Sequence, residues 1–286
     1  MIKDTLAYDV SLSEERDGSK FPIWRKLQSI LPQRRHVLPF VLPVVLLVLW
    51  QVTTQYHWIA PQILPKPGAV VHAVIEQSQT RLGSDLAIST QRAFLGFLIG
   101  GGIGFVFGLI NGLFRLGEEI LDTTMHMFRT VPHLALIPLI IIWFGIGETT
   151  KIVLVALGVF FPMYLNTFRG IREVDPGLIE AGRVYGLRGI QLFTKIILPG
   201  ALPSILLGVR FSLGIMWLTL IVAETIGTTS GIGYLATSAR EYMQTDVVVL
   251  VILLYALLGK GADVAARLLE SYFLPWHHAF AKTARR

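Results

Sequence analysis

The stretch STQRAFLGFLIGGGIGFVFGLINGL, residues 89–113, decides the fold of this chain. Its one charged residue, Arg92, stands near its beginning, and most of the rest is apolar or glycine. A bilayer hydrocarbon core of about 30 Å is crossed by about 20 apolar residues of helix, so this stretch is long enough to span a membrane. Because lipid offers the backbone no hydrogen-bond partners, a helix is the expected conformation.

Glycine recurs at every fourth position of this stretch, at Gly96, Gly100, Gly104, Gly108 and Gly112. Four residues turn a helix by about 400°, so the five glycines form one slowly drifting stripe. A stripe without side chains lets another helix approach closely, and it therefore predicts tight helix packing. The neighbour is either another helix of this chain or a helix of a second copy.

The composition of the whole chain agrees with a membrane protein. Of its 286 residues, 53% are hydrophobic and 15% charged, whereas a soluble domain carries about a quarter charged residues. The long apolar blocks predict an all-α protein with six transmembrane helices between residues 37 and 270. They are Val37–Thr54, Ser89–Leu113, Glu119–Trp143, Thr149–Phe168, Pro203–Glu224 and Asp246–Leu268. Alternating ten-residue segments typical of membrane barrels are not seen.

The distribution of Lys and Arg predicts the orientation of these spans. Basic residues concentrate in the polar N-tail (residues 1–36), in the connections after the second and fourth spans, and in the basic C-tail (residues 271–286). Cytoplasmic segments carry this excess, so both termini are expected in the cytoplasm. A basic cytoplasmic surface accounts for the net charge of +6 without nucleic acid as a partner. No cleavable leader pattern precedes Val37, so the first span is expected to stay as an anchor.

The connection of residues 169–198 has the signals of an ordered projection. Asp175 and Pro176 are a typical helix start, an N-cap followed by proline in the first turn. Gly186 stands where that helix is expected to end. A second amphipathic stretch, residues 190–197, leads to Pro199. The alternative is a solvated loop lying on the membrane surface.

Within this connection, one motif resembles a known family. Glu180-Ala181-Gly182, followed by Gly186, Ile196 and Pro199, resembles the EAA motif of permease subunits in bacterial ATP-binding-cassette importers. The one departure is Gly182, where the motif has a second alanine. Three stretches, residues 129–148, 198–225 and 230–249, resemble the permeases for aliphatic sulfonates in particular. Nitrate, bicarbonate and taurine permeases belong to the same group.

The resemblance implies a type I importer permease fold in the bacterial inner membrane. It implies a homodimer of this chain, two ATPase subunits that bind ATP and magnesium, and a periplasmic substrate-binding protein. The expected cargo is a small organic anion, most specifically an aliphatic sulfonate. The chain itself is expected to be non-catalytic and to hold no cofactor. The residues that would couple it to the ATPases are Asp175, Glu180, Ala181, Gly182, Tyr185, Gly186, Ile196 and Pro199.

Several residues of the last two spans are candidates for the pathway or its gate. A mid-span arginine should face protein or water, so Arg210 attracts a transported anion, pairs with Asp263 of the sixth span, or extends its side chain toward the cytoplasm. Glu224 belongs to an outer gate or is a solvated helix end. The remaining candidates, for which core packing is the alternative, are Met216, Trp217 and Thr219, and the segment Ser230–Tyr234 as a turn lining an outer vestibule.

Other classes of protein find little support in the sequence. No HExxH zinc motif and no GxxxxGK[ST] phosphate loop is present. His126 and His133 share a helix face, but no carboxylate or cysteine completes a metal site, so no metal is expected. A stand-alone secondary transporter would show inverted repeats and broken helices with midplane charges, which are not evident.

Overall fold

A computed structural model describes residues 31–276, which form helices and short connections with no strand in that range. The described residues divide into two compact units, one that ends at Pro61 and one that begins at Gln62. In the first unit the described residues form α1, Leu31–Gln55, a helix rich in leucine and valine.

The described residues of the second unit form ten further α-helices. They are α2 (Pro67–Thr80), α3 (Leu82–Leu113), α4 (Arg115–Thr130), α5 (Ile137–Phe144), α6 (Glu148–Arg172), α7 (Pro176–Val184), α8 (Gly189–Leu192), α9 (Leu198–Glu224), α10 (Ile232–Glu241) and α11 (Thr245–Phe273). A 3-10 turn, His133–Leu136, precedes α5, and a π turn, Phe193–Ile197, joins α8 to α9.

Four of these helical segments are long and apolar enough to cross a membrane: α3, α6, α11 and the continuous run Gly189–Glu224 that contains α9. A bent pair of helices would make a fifth crossing. The first predicted span lies in α1, where Val41–Gln55 is an apolar helix shorter than these four. Most of the predicted N-tail and C-tail, residues 1–30 and 277–286, lies outside the described residues.

The prediction of one continuous third span is wrong. Between Thr123–Thr130 and His133–Phe144 the helix axis bends by 79°. Pro132 explains the break, because proline has no N–H to donate and disfavours helical backbone at the residue before it. Val131 accordingly has extended dihedrals, with φ −75° and ψ 118°.

The core of the second unit is the contact between α3 and α6, and the glycine stripe forms one side of it. A Cβ built at Gly104 would lie 2.5 Å from the carbonyl oxygen of Phe160, and one at Gly112 would lie 2.9 Å from Cβ of Ile171. At Gly100 the Cβ would collide with the backbone of Ala156. The partner of the stripe is therefore a helix of the same chain, which the sequence left open.

These contacts also fix the directions of the helices. Residue numbers rise together along α3 and α6, so the two helices are parallel. In contrast, a Cβ at Gly158 of α6 would meet Thr219 of α9, and one at Gly170 would meet Ser204, so α6 and α9 are antiparallel. Because α3 and α6 are parallel, the intervening α4 and α5 must return the chain to the end where α3 began.

The two ends of this bundle are distinguished by their connections. One end carries α7 and α8, between the last residue of α6 and the first of α9. The opposite end carries α10, between α9 and α11. It is called the cluster end because the charged side chains of Arg92, Glu148 and Glu224 meet there. The helix containing α9 begins earlier than the predicted Pro203, since α8 and the π turn continue directly into it.

Candidate functional site

The start of α7 is fixed by a side-chain cap. The carboxylate of Asp175 accepts a hydrogen bond from the backbone N–H of Gly177, at 2.8 Å. Pro176 occupies the first turn, where no intrahelical donor is needed. An N-cap of this kind satisfies one of the free backbone donors that every helix start leaves.

The end of α7 is fixed by a residue with left-handed backbone. Gly186 has φ +82°, and its N–H donates to the carbonyl of Arg183 at 3.0 Å. The next residue, Leu187, donates back to the carbonyl of Gly182 at 3.0 Å. These bonds close the last turn, and only glycine adopts this φ without a steric cost.

One face of α7 rests on the helix that leads into α9. A Cβ at Gly182 would lie 2.9 Å from Cδ1 of Leu192 and 3.2 Å from Cγ1 of Ile196. Gly182 is buried in this contact, while Glu180 and Ala181 are exposed. The substitution of glycine for the alanine of the motif thus brings α7 close to the side chains below it.

The other face of this projection is apolar and open. Val184, Tyr185 and Ile190 are 86%, 87% and 72% exposed. Exposed apolar groups clustered on one projection are typical of a surface that contacts another protein. Pro199, the last residue of the motif, lies in the first turn of α9.

A second site lies at the cluster end, where Arg92 of α3 joins three elements. Its Nε and Nη2 donate to the carboxylate of Glu148, the first residue of α6, at 2.5 and 2.6 Å. Its Nη1 donates to Glu224, at the end of α9, at 2.7 Å. Arg92 also donates to Ser230, through Nη1 to the carbonyl and through Nη2 to the hydroxyl. Lys151 donates to Glu148 at 3.0 Å.

The carboxylate of Glu224 is enclosed by donors. Besides Arg92, it accepts from the hydroxyl of Ser89 at 2.8 Å and from the N–H of Gly233 at 2.9 Å. Its side chain is fully buried. The interpretation of Glu224 as a solvated helix end is therefore wrong. The N–H of Ile232 donates to the oxygen of Ser89, which ties the start of α10 to α3.

Asp85 continues this network on α3. It accepts from the N–H of Gly231 at 2.7 Å and pairs with Arg81 at 2.8 Å. Burial lowers the pKa of Arg81, but its contacts with Asp85 and Tyr234 raise it, and the net pKa lies above the ordinary value. The segment Ser230–Tyr234 is thus the bound start of α10.

Sequence reasoning singled out Glu224 but missed Arg92, Glu148 and Lys151 as its companions. Arg92 and Glu224 are 132 positions apart, and no local spacing connects them. The available signal was charge itself, since an arginine inside an apolar stretch requires a partner.

Arg210 of α9 pairs with Asp263 of α11 at 2.7 Å and lies 3.8 Å from Glu270. Asp263 also pairs with Arg267 at 2.6 Å. The two residues Arg210 and Asp263 border a groove of about 510 Å³ whose other walls include Phe211 and Leu218 of α9. The arrangement contains the predicted pair and leaves Arg210 partly exposed.

Three other pathway candidates lie in the interior. Met216, Trp217 and Thr219 are 5%, 8% and 1% exposed. Met216 and Trp217 belong to a cluster with residues of α3, α6 and α11. Thr219 contacts Nε2 of His133 at 3.1 Å.

The side chain of His126 lies outside the described part, and among the described residues no three His, Asp or Glu side chains gather as a metal site.

Residues 100–273 match the family described as "Binding-protein-dependent transport system inner membrane component". The chain belongs to this family, and the membership predicted from the motif of α7 is confirmed. It is a multi-pass inner-membrane protein and a non-catalytic subunit of a transport system.

Two relatives both carry the name "Putative aliphatic sulfonates transport permease protein SsuC". The one from Escherichia coli (strain K12) is 59% identical over 245 residues, 85% of this chain and 93% of the relative. The one from Bacillus subtilis (strain 168) is 46% identical over 241 residues, 84% and 87% of the two chains. The fold is similar to a chain in the crystal structure of an amino acid ABC transporter with histidines. There the TM-score is 0.55 and the identity 20%, over 66% of this chain and 92% of that one.

Proposed function

We propose that this chain forms the translocation pathway of an ATP-driven importer for aliphatic sulfonates and that α7 couples it to separate ATPase subunits. The observation that carries the proposal is α7 itself, which is capped at both ends, packed against α8 and the π turn that lead into α9, and apolar on its open face. A short helix with fixed ends transmits the motion of a partner that grips it, whereas a flexible loop would absorb that motion. ATP and magnesium then belong to the ATPase subunits.

Each residue of the motif has a part in this proposal. Asp175 and Gly186 fix the two ends of α7, while Gly182 and Ile196 seat it against the base of α9. The residues that would contact the ATPase are exposed: Glu180, Ala181, Val184, Tyr185 and Ile190. Pro199 lies at the junction where the motion of α7 enters α9.

The proposed topology has six spans with both termini in the cytoplasm. The parallel packing of α3 and α6 supports a crossing by α4 and α5 between them. With α1 as the first crossing, α7 comes to the cytoplasmic end and the Arg92 cluster to the periplasmic end. This placement agrees with the basic residues near α7.

The proposed assembly contains a second copy of the chain, two ATPases and a periplasmic binding protein. The glycine stripe is used inside one chain, so the contact between copies lies on other faces. The binding protein would approach the end that carries the Arg92 cluster and Glu224, and Glu224 would act there as part of the gate by holding α10 to α9.

The proposed cargo follows the names of the two relatives described above. An alkanesulfonate combines an anionic head with an apolar chain. The groove between α9 and α11 has both features, since Arg210 lies among Leu207, Phe211 and Leu218. The roles of Met216, Trp217 and Thr219 in the pathway would require these buried side chains to become accessible in another conformation.

The test is the ATPase activity of the purified complex with its binding protein. The complex is titrated with alkanesulfonates, taurine, nitrate and bicarbonate in turn. Stimulation by alkanesulfonates alone is the expected result. Stimulation by nitrate, bicarbonate or taurine instead would give the chain the same role for another anion. Uptake of the anion by the permease without any ATPase subunit would contradict coupling.

A further inference from the structure

We infer that the buried cations Arg92 and Lys151 form an oxyanion site, which the carboxylate of Glu148 fills in this structure and a sulfonate fills when Glu148 turns away. The ligand class is a monovalent oxyanion with at least two oxygens free to accept. The inference takes its ligand from the proposed function, but the site itself requires only an anion of this shape.

The first argument is the unequal burial of the partners. The side chains of Arg92 and Lys151 are 3% and 5% exposed, whereas that of Glu148 is 59% exposed. A buried cation must keep an acceptor, because losing it costs several kcal/mol of desolvation. An exposed carboxylate, in contrast, is hydrated well when it leaves. Of the three charged groups, Glu148 is the one that can move.

The second argument is the unused capacity of Lys151. An ammonium has three donors, and among the described residues its Nζ has one hydrogen bond, to Glu148 at 3.0 Å. The residue is nevertheless buried at the start of α6. A ligand with three acceptor oxygens would satisfy this ammonium more fully than a carboxylate that already gives two oxygens to Arg92.

The third argument is that the other side of the cluster is closed. Glu224 is fully buried and held by Arg92, Ser89 and Gly233, so it stays in place. Its charge balances one of the two cations, and the other needs one anion. When Glu148 leaves and a monovalent oxyanion enters, the cluster remains neutral.

The geometry of the contact suits a sulfonate. Arg92 donates to both oxygens of Glu148 through Nε and Nη2, at 2.5 and 2.6 Å. This planar fork binds any oxyanion with two oxygens at similar spacing. The site also lies at the N-terminus of α6, where Gly147 supplies no side-chain cap and the helix favours negative charge.

The experiment uses the assembled permease–ATPase complex in lipid nanodiscs, without the binding protein. The thermal unfolding midpoint is followed against the concentration of methanesulfonate, and its ligand-dependent rise gives the affinity. Dimethyl sulfone, which has the same shape without charge, controls for apolar binding. Inorganic phosphate separates a general oxyanion site from one that selects a monovalent sulfonate.

Glu148→Gln removes the internal competitor, and we expect methanesulfonate to bind about tenfold more tightly, because a neutral amide accepts more weakly than a carboxylate. Glu241→Gln makes the same charge change on an exposed residue of α10 and should leave the affinity unchanged. Lys151→Gln should lower the affinity for methanesulfonate by about tenfold or more, and Lys151→Arg should keep it. The sulfone should have no effect on any variant.

Equal affinity of Glu148→Gln and the unmodified chain would overturn the inference, as would an affinity that Lys151→Gln leaves unchanged. Uptake of alkanesulfonates by the unmodified importer is measured in parallel. Normal uptake without an effect of Glu148→Gln on binding refutes this site and leaves the proposed function intact. Binding that follows the expected pattern without any sulfonate uptake refutes the proposed cargo and leaves the site.

Discussion

Arg92 donates through Nη1 to Oε1 of Glu224 across 2.7 Å, and both side chains are almost completely buried. The pair joins α3 to the end of α9, and the following connection lies against it: Arg92 donates to the carbonyl of Ser230, and a Cβ at Gly231 would lie 2.5 Å from Oε1 of Glu224. One ion pair therefore links α3, α9 and the connection to α10 at the cluster end.

Removing one member of this pair should be far more harmful than removing both. Arg92→Met leaves the carboxylate of Glu224 buried without its cation, and we expect the free energy of unfolding to fall by about 3–5 kcal/mol. In the double variant Arg92→Met, Glu224→Met no uncompensated charge is left there, so the loss should be smaller than for Arg92→Met alone. Denaturant unfolding of the complex in detergent measures both.

Arg240→Met is the control for this cycle, because Arg240 is exposed at the end of α10. It should change the free energy of unfolding by no more than about 0.5 kcal/mol. If the losses measured for Arg92→Met and for Glu224→Met add up to the loss of the double variant, the two residues are not energetically coupled.

The glycine stripe allows a comparison within one helix. Gly100→Ala places a methyl group against the backbone of Ala156, which has no flexible end that can move aside. We expect a loss of about 1–3 kcal/mol, the usual cost of overpacking. Gly102→Ala meets nothing within 4 Å and should be neutral or slightly stabilising, since alanine favours the helix. Thermal unfolding of the two variants gives the answer, and equal midpoints would contradict tight packing of α3 on α6.

Substitutions at Gly186, just after α7, test the effect of backbone conformation separately from that of packing. Gly186 has open space around it and φ +82°, so the effect of a substitution comes from the backbone alone. Gly186→Val should strain the turn by about 1–3 kcal/mol and misplace α7. Gly186→Asn should be tolerated, because asparagine adopts left-handed backbone more readily.

The measurement for these two variants is transport, with membrane insertion checked separately. We expect Gly186→Val to insert normally and to lose sulfonate uptake, while Gly186→Asn keeps most of it. Normal uptake by Gly186→Val would refute the assignment of α7 as the coupling helix.

Local features of the sequence were sufficient to place α7. The cap at Asp175, the proline after it and the glycine at 186 are neighbours along the chain, and the helix runs from Pro176 to Val184 between them. The four long apolar helices were located for the same reason, since length and hydropathy are local properties.

Features that depend on distant contacts were not predictable in this way. The periodicity of glycine identified a packing face of α3 but not its partner, which is set by the order in which the spans assemble. The cluster joins Arg92 of α3 to the first residue of α6, Glu148, and to the last residue of α9, Glu224. An arginine in an apolar stretch indicated that a partner exists, but no local spacing indicated which residue it is. The bend at Pro132 was visible in the sequence, but the apolar run around it suggested one continuous span.

The open face of α7 and α8 should supply the affinity for the ATPase. Tyr185 is 87% exposed in this chain, and a large aromatic group of this kind often dominates a protein interface. Tyr185→Ala should weaken association with the purified ATPase subunits by about tenfold or more, equivalent to about 1.4 kcal/mol. Tyr242→Ala is a matched control, since Tyr242 is 74% exposed but follows α10 at the opposite end. Association is measured by titrating labelled ATPase against the permease in nanodiscs. If both tyrosine variants bind the ATPase as the unmodified chain does, Tyr185 supplies no affinity for the ATPase, and the prediction that this aromatic side chain dominates the interface is wrong.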